Sequence, residues 1–369
     1  MSGGCALGVP CAALRRGVLA AAAWCVAGCS VFGGVHVETL DVSAQKPSNV
    51  AFYVSVTDHG EPVTDLGAKN FTVYENGQEL SSRLIERTLL PREPVTGERV
   101  LLLVDVSQNP SAAQRANYAE AVEAFVRKLT STLPVSVRAF DGSPGLKTVG
   151  DYARGSQNPN AAAVTKLTSR DASRDLNGAV LAGLAELDRT EADRKPIHLG
   201  TLVVFSRGPD LAGRTDASKL DQALDTTTHD VIGVGTGADT PYLAFARGGV
   251  IHAQNADTLP IAFEEAGARV AATHAKYYLV AYCSPARAGR RTVRLEVTHE
   301  DQKGDAHSGS TEYELDAGGF GPGCHVETTP RFEHPTEPEK RTPSARVNQA
   351  PVADPDAVVP PPSSGDYAK

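Results

Sequence analysis

Three polar positions, Asp105, Ser107 and Asn109, close the stretch LLLVDVSQN, in which four apolar residues run directly into a carboxylate. A carboxylate and a hydroxyl at the end of a buried strand are hard oxygen donors of the kind that hold magnesium. Cation binding is therefore the first chemistry to weigh. Nucleophilic catalysis is the second. Ser107 and Ser206 carry hydroxyls, yet neither lies in Gly-x-Ser-x-Gly, and no acid or base is tied to them by spacing. GVGTGAD, from Gly233 to Asp239, places glycines after an apolar run. It lacks the complete Gly-x-Gly-x-x-Gly order, the lysine and the partner acid of a nucleotide site, so it reads as a turn. The ten histidines are scattered without His-x-x-x-His or a paired Cys motif, and no zinc site is expected. Asp41, Asp58 and Asp65 read as turn and strand-end residues rather than calcium ligands. No catalytic residue emerges, and the chain is not expected to be an enzyme.

The elements that must position these residues follow from the apolar rhythm. From Val35 to about Leu90 the pattern is β-like: NVAFYVSV alternates, DHGEP supplies turn chemistry, and FTVYENGQEL reads as a hairpin with Asn76-Gly77 at its tip. Over 98–275 apolar runs alternate with helical stretches. Strands are expected at 99–104, 134–140, 197–205, 229–235 and 249–252, with helices near 111–131, 175–190, 216–226 and 258–273. Such alternation predicts an α/β fold with a doubly wound, mainly parallel sheet, whose ligands sit beyond the carboxyl ends of the strands. Asp105, Ser206 and Gly235 all fall at such ends. Over 276–320 the β pattern returns in YYLVAY, RTVRLEV and STEYEL. The two β segments, 35–95 and 276–320, together predict a β-sandwich interrupted by the α/β unit. The Pro-rich stretch 328–369 has no periodicity and reads as a disordered tail.

The first residues have a different character. Arg15 and Arg16 precede an apolar run from Val18 to Ala27, too short to cross a bilayer and suited to a signal-peptide core. It ends in Val26-Ala27-Gly28-Cys29, which resembles the bacterial lipobox. That resemblance implies a signal peptide over 1–28, cleavage before Cys29 and lipidation of Cys29, with palmitate among the acyl groups. Ser30 follows where an aspartate would signal inner-membrane retention, so outer-membrane sorting is expected. Four of the six cysteines (Cys5, Cys11, Cys25 and Cys29) lie in this leader or at its cut. The remaining two, Cys283 and Cys324, could form one disulfide in an oxidising compartment or stay as two thiols. Removing 1–28 takes two arginines and no acids from a chain of charge −8, leaving −10. An acidic exported chain is a poor binder of nucleic acid or anionic lipid, so the membrane is expected to be reached through the lipid anchor alone.

Several stretches resemble one family. VLLLVDVSQN, SRDLNGAVLAGLAEL from Ser173, LVVFSRGPD from Leu202, DVIGVGTGAD and LAFARGGVIHAQNADTLPIAFEEA are similar, in order and spacing, to the strands, loops and helices of von Willebrand factor A (VWA) domains. Val56 to Gln78 and YYLVAY resemble the flanks of exported bacterial "VWFA-related" proteins. The resemblance implies a metal-ion-dependent adhesion site (MIDAS) built from Asp-x-Ser-x-Ser, a threonine and an aspartate. Here the pattern departs. Asn109 stands at the second serine, Arg174 at the threonine and Arg207 at the aspartate. Two guanidiniums offer permanent charge and no acceptor, so a cation beside them would be repelled. An alternative is direct pairing of the arginines with Asp105. Only a slipped alignment that recruits Ser173, Asp175 or Asp210 to Asp105 and Ser107 would restore a Mg2+ site, and no cofactor is expected.

These observations imply a lipid-anchored bacterial envelope protein whose VWA domain binds another envelope or extracellular protein, in adhesion or assembly. The binding face would comprise Asp105, Ser107, Asn109, Arg174 and Arg207. A second expectation is a purely structural envelope module with a decayed site. A hydrolase built on the α/β sheet is a third, weaker one.

Overall fold

A computed structural model describes residues 34–81, 85–156, 160–189, 195–237, 239–301 and 303–332. The expected signal peptide, Cys29 and the stretch from 333 onward lie outside the described residues.

The described residues open with six strands: β1 (Val35–Gln45), β2 (Asn49–Asp58), β3 (Glu61–Pro62), β4 (Phe71–Glu75), β5 (Gln78–Glu79) and β6 (Arg87–Leu89). Asn76 and Gly77 join β4 to β5 with φ of 50° and 79°, the paired positive values that a two-residue type I′ hairpin needs. The α/β unit follows as β7 (Thr96–Asp105), α1 (Ala112–Leu129), β8 (Val135–Phe140), β9 (Lys147–Tyr152), α2 (Ala162–Thr165), α3 (Leu176–Arg189), β10 (Ile197–Ser206), α4 (Ala217–Thr226), β11 (Asp230–Thr236), β12 (Val250–Ala253) and α5 (Leu259–Ala275). Three further strands follow among the described residues: β13 (Tyr277–Cys283), β14 (Arg290–Glu300) and β15 (Ala306–Asp316).

The α/β unit is doubly wound, as its rhythm predicts. Its six strands run in the order β12-β11-β10-β7-β8-β9, all parallel except β9, which pairs antiparallel with β8 at the edge. Central strand β7 is buried on both faces, which is why it reads as a continuous apolar run. Val100, Leu102 and Val104 pack with Val122, Phe125 and Phe263 on the α1/α5 side. Leu101 and Leu103 point the other way, toward Val180, Leu184 and Leu220 of α3 and α4. Helix α1 starts sharply because Ser111 and Gln114 cap each other: the Gln114 amide donates to Ser111 Oγ (3.2 Å) and the Ser111 amide to Gln114 Oε1 (2.8 Å).

The flanking β segments form one sandwich. One sheet runs β1-β2-β13-β6, with β3 beside β2, and the other runs β15-β14-β4-β5. Phe52, Val54, Phe71, Val73, Tyr278, Tyr282, Val293 and Leu295 fill the space between them. The α/β unit is thus inserted between β6 and β13. Arg92 fastens this junction, its Nη1 donating to the Tyr277 carbonyl (3.2 Å) and pairing with Glu98 (3.2 Å).

The C-terminal boundary differs from the sequence expectation by a few residues. The Ser43 hydroxyl donates to the Arg331 carbonyl (2.7 Å), and Phe332 is buried with Val326, Tyr53 and Tyr277, so 328–332 packs on the outer face of the first sheet. Cys283 and Cys324 are joined, with Cα atoms 5.8 Å apart. Among the described residues, no helix is long and apolar enough to cross a membrane.

Candidate functional site

The carboxyl ends of β7, β8 and β10 converge on Asp105, which is fully buried. Its Oδ1 accepts from the Ser107 amide (2.9 Å). Its Oδ2 accepts from Arg174 Nε (2.6 Å) and from the Arg207 amide (3.0 Å). Arg174, only 1% exposed, also donates through Nη1 to the Pro209 carbonyl (3.0 Å). Its own carbonyl accepts from Leu211 and Ala212 (2.8 and 2.9 Å), stitching the loop after β10 to the loop before α3. Gly208 makes room for this: a Cβ there would lie 2.7 Å from Arg174 Nη1. The Arg207 side chain bends back to the Ser107 carbonyl and lies over the Tyr118 ring at 5.9 Å, its Nε 3.8 Å from Asp105 Oδ2.

The residues do not fit a divalent cation. Both oxygens of Asp105 are engaged, and the charge that offsets it is a guanidinium held in a charge-assisted bond. A cation would have to approach two arginines that offer it no acceptor. Ser107 Oγ is buried and finds no hydrogen-bond partner, so the hydroxyl expected among the ligands is present and idle. The acids that a slipped alignment would recruit have other work. Asp175 caps α3, accepting from the Gly178 amide (3.1 Å), and burial raises its pKa, with Asp210 adding to the effect. Asp210 accepts from the amides of Asn177 (3.0 Å) and Gly213 (2.8 Å). The Ser173 hydroxyl donates to Asp171 (2.7 Å).

The expected binding face therefore needs correcting. Asp105, Ser107 and Arg174 are buried and present no surface, Arg207 is half-buried, and Asn109 alone of the five is exposed. The surface of the strand-end loops is made instead by Gln108, Asn109, Pro209 and Leu211, the last 54% exposed. Gln108 and Asn109 are both left-handed, with φ of 55° and 46°, a costly pair for residues with side chains. The Gln108 amide is tied to the Ala172 carbonyl (3.0 Å), which holds the turn against the neighbouring loop.

One residue of this region escaped the sequence reading. Asp141 follows β8 as Asp105 ends β7, and it is equally buried. Burial alone would raise its pKa. Lys147, the Ser143 hydroxyl and the amides of Arg170 (2.7 Å) and Ser143 (2.8 Å) outweigh that and hold it at about 2. The signal was available: VSVRAFD repeats the apolar-run-then-acid pattern of LLLVD. Because the folded pKa lies below the unfolded value of about 3.9, Asp141 contributes stability above pH 4 that is lost as pH falls toward 2. Asp141→Asn is expected to cost about 2 kcal/mol near neutrality in urea unfolding, with the gap from wild type closing between pH 4 and 2. A gap that does not change with pH would mean that the charge has no part in it.

No family model and no curated protein matches the chain. Solved structures do. A von Willebrand factor type A protein from Catenulispora acidiphila matches at 13% identity and a TM-score of 0.38, over 77% of this chain and 73% of that one. The manganese-loaded TRAP protein of Plasmodium vivax matches at 13% and 0.35, over 67% of this chain and 98% of that one. The PilB minor pilin of Streptococcus sanguinis matches at 10% and 0.34, over 66% and 79%. These likenesses are weak, and the fold class stands on the strand order and connections described above.

Proposed function

We propose that the chain is a lipid-anchored bacterial envelope protein whose α/β unit is a VWA domain that binds a partner protein without a bridging metal. The observation that carries this reading is the Arg174–Asp105 pair, which occupies the place where the resemblance implies a cation (2.6 Å, both side chains sealed from solvent). With Asp105 satisfied internally, capture of a partner's acid through magnesium has no counterpart here. The strand-end loops are instead bonded into one surface that displays Leu211. Leu211 is one of three large apolar side chains exposed among the described residues and the one on these loops, which makes it the position at which this face is tested. Sequence supports the rest: Cys29 as the lipidated residue, and an envelope or extracellular protein as partner.

A second reading, a structural module with a decayed site, is favoured by the same burial of Arg174, since a sealed face has lost its ancestral chemistry. Capture from envelope extracts separates the two. A partner retained by wild type with magnesium or EDTA, lost with Leu211→Asp and kept with Tyr313→Asp on the sandwich, is the result expected. Capture that needs magnesium, or that ignores Leu211→Asp, would count against the proposal.

A further inference from the structure

Away from the strand-end loops, one corner of the sandwich gathers metal-ligating groups that sequence spacing scatters. Asp58 ends β2, His59 follows it in the turn, and His307 lies near the start of β15 in the other sheet. Asp58 Oδ1 is 2.7 Å from His59 Nδ1 and 3.7 Å from His307 Nδ1. One ligand atom from each residue lies within 4.8 Å of the other two, and among the described residues this is the one group of three His, Cys or acidic side chains so placed. We propose that Asp58, His59 and His307 form a site for a borderline divalent transition ion of the zinc class.

Four features of this corner support the site. Tetrahedral ligands on arms of about 2.0–2.1 Å sit about 3.3 Å apart, and the two carboxylate–imidazole separations bracket that value. Asp58 Oδ1 is buried with no hydrogen-bond partner, because the His59 contact, though short, is off the hydrogen-bond direction. Metal binding would give this oxygen the partner that the hydrogen-bond network does not. His307 also has a carboxylate behind its second nitrogen, beyond hydrogen-bond reach. Asp301 faces Nε2 through Oδ2 at 4.0 Å, while its Oδ1 is fixed by the amides of Lys303 (2.8 Å) and Asp305 (2.9 Å). The negative charge on that side favours the tautomer with its proton on Nε2, which leaves the Nδ1 lone pair facing the site. Finally, two imidazoles and one carboxylate select zinc, nickel or copper over magnesium and calcium, which prefer all-oxygen shells. His59 is the most exposed of the three, with 55% of its side chain open, so the fourth position faces solvent. Bound metal would tie the end of β2 in one sheet to β15 in the other.

The test uses the full-length protein, stripped of metal, titrated calorimetrically with Zn2+ and by absorbance with Co2+. One Zn2+ binding event is expected that survives His325→Ala and disappears in His59→Ala and in His307→Ala. Circular dichroism of each variant checks that the fold is kept. The Co2+ complex should show ligand-field bands of a four-coordinate site without thiolate charge transfer, which separates it from binding by the leader cysteines. Absence of any Zn2+ event at micromolar concentration, or an event indifferent to both histidine variants, would overturn the assignment.

Discussion

Arg174→Met is expected to destabilise the protein by about 3–5 kcal/mol, because it strands the carboxylate of Asp105 without its counter-charge in a site sealed from water. The methionine fills much of the same volume, so the loss reports charge and hydrogen bonding rather than a cavity. Asp105→Asn should relieve most of that penalty when combined with Arg174→Met. The neutral amide keeps an acceptor for one of the Ser107 and Arg207 backbone amides, which bond different oxygens of Asp105, while removing the uncompensated charge. A double-mutant cycle by urea unfolding at pH 7 should therefore return a coupling energy of about 2–3 kcal/mol. A cost below about 1 kcal/mol for Arg174→Met would show that the pair does not carry the charge balance assigned to it. Magnesium offers an independent check: it should not rescue the single variant, because Arg207 remains over the site.

The arginines could be read from sequence because their positions are fixed by spacing from recognisable strands, and their chemistry is fixed by charge. What they do was open until the geometry showed Arg174, rather than Arg207, as the side chain that hydrogen-bonds Asp105. The strands of the sheet were equally legible, since β7, β10 and β11 are apolar on both faces. Edge strand β9 was not. KTVGDY is half-exposed, contains a glycine and has no clean alternation, so its pairing with β8 is a tertiary outcome that local pattern does not carry. Asp175 and Asp210 looked like spare ligands because helix capping and cation binding draw on the same side chains. Only the position of the α3 amides decides between them. The histidine corner was out of reach for another reason: His59 and His307 meet across two sheets, and no spacing rule spans an inserted domain.

Loss of the Cys283–Cys324 bond is the second large effect expected. The bond closes a loop of 41 residues, for which chain entropy gives about 4 kcal/mol. It also anchors the segment that follows β15, where Val326 and Phe332 cover Tyr53 and Tyr277. Cys324→Ser, or reduction of the wild type, should lower stability by about 2–4 kcal/mol in urea unfolding. The reduced protein should also become open to proteolysis between Ala317 and Phe332 before the α/β unit is attacked. A loss under about 1 kcal/mol, with that segment still protected, would mean that packing of Val326 and Phe332 holds it without the bond.

The interrupted sandwich imposes an order on folding. Strand β2 is the most thoroughly buried of the first six, yet its neighbour β13 is made only after the whole α/β unit, and Glu75 waits for Tyr282 across 207 residues. A chain that emerges N-terminus first thus carries an apolar strand with an open edge through most of its synthesis. Closing so distant a pair is slow unless something shortens the path between its ends. The inserted unit does so: once it is folded, Arg92 and Tyr277 lie within hydrogen-bond reach, and β13 is delivered to the side of β2. The inserted α/β unit is in this sense the template on which the sandwich is completed.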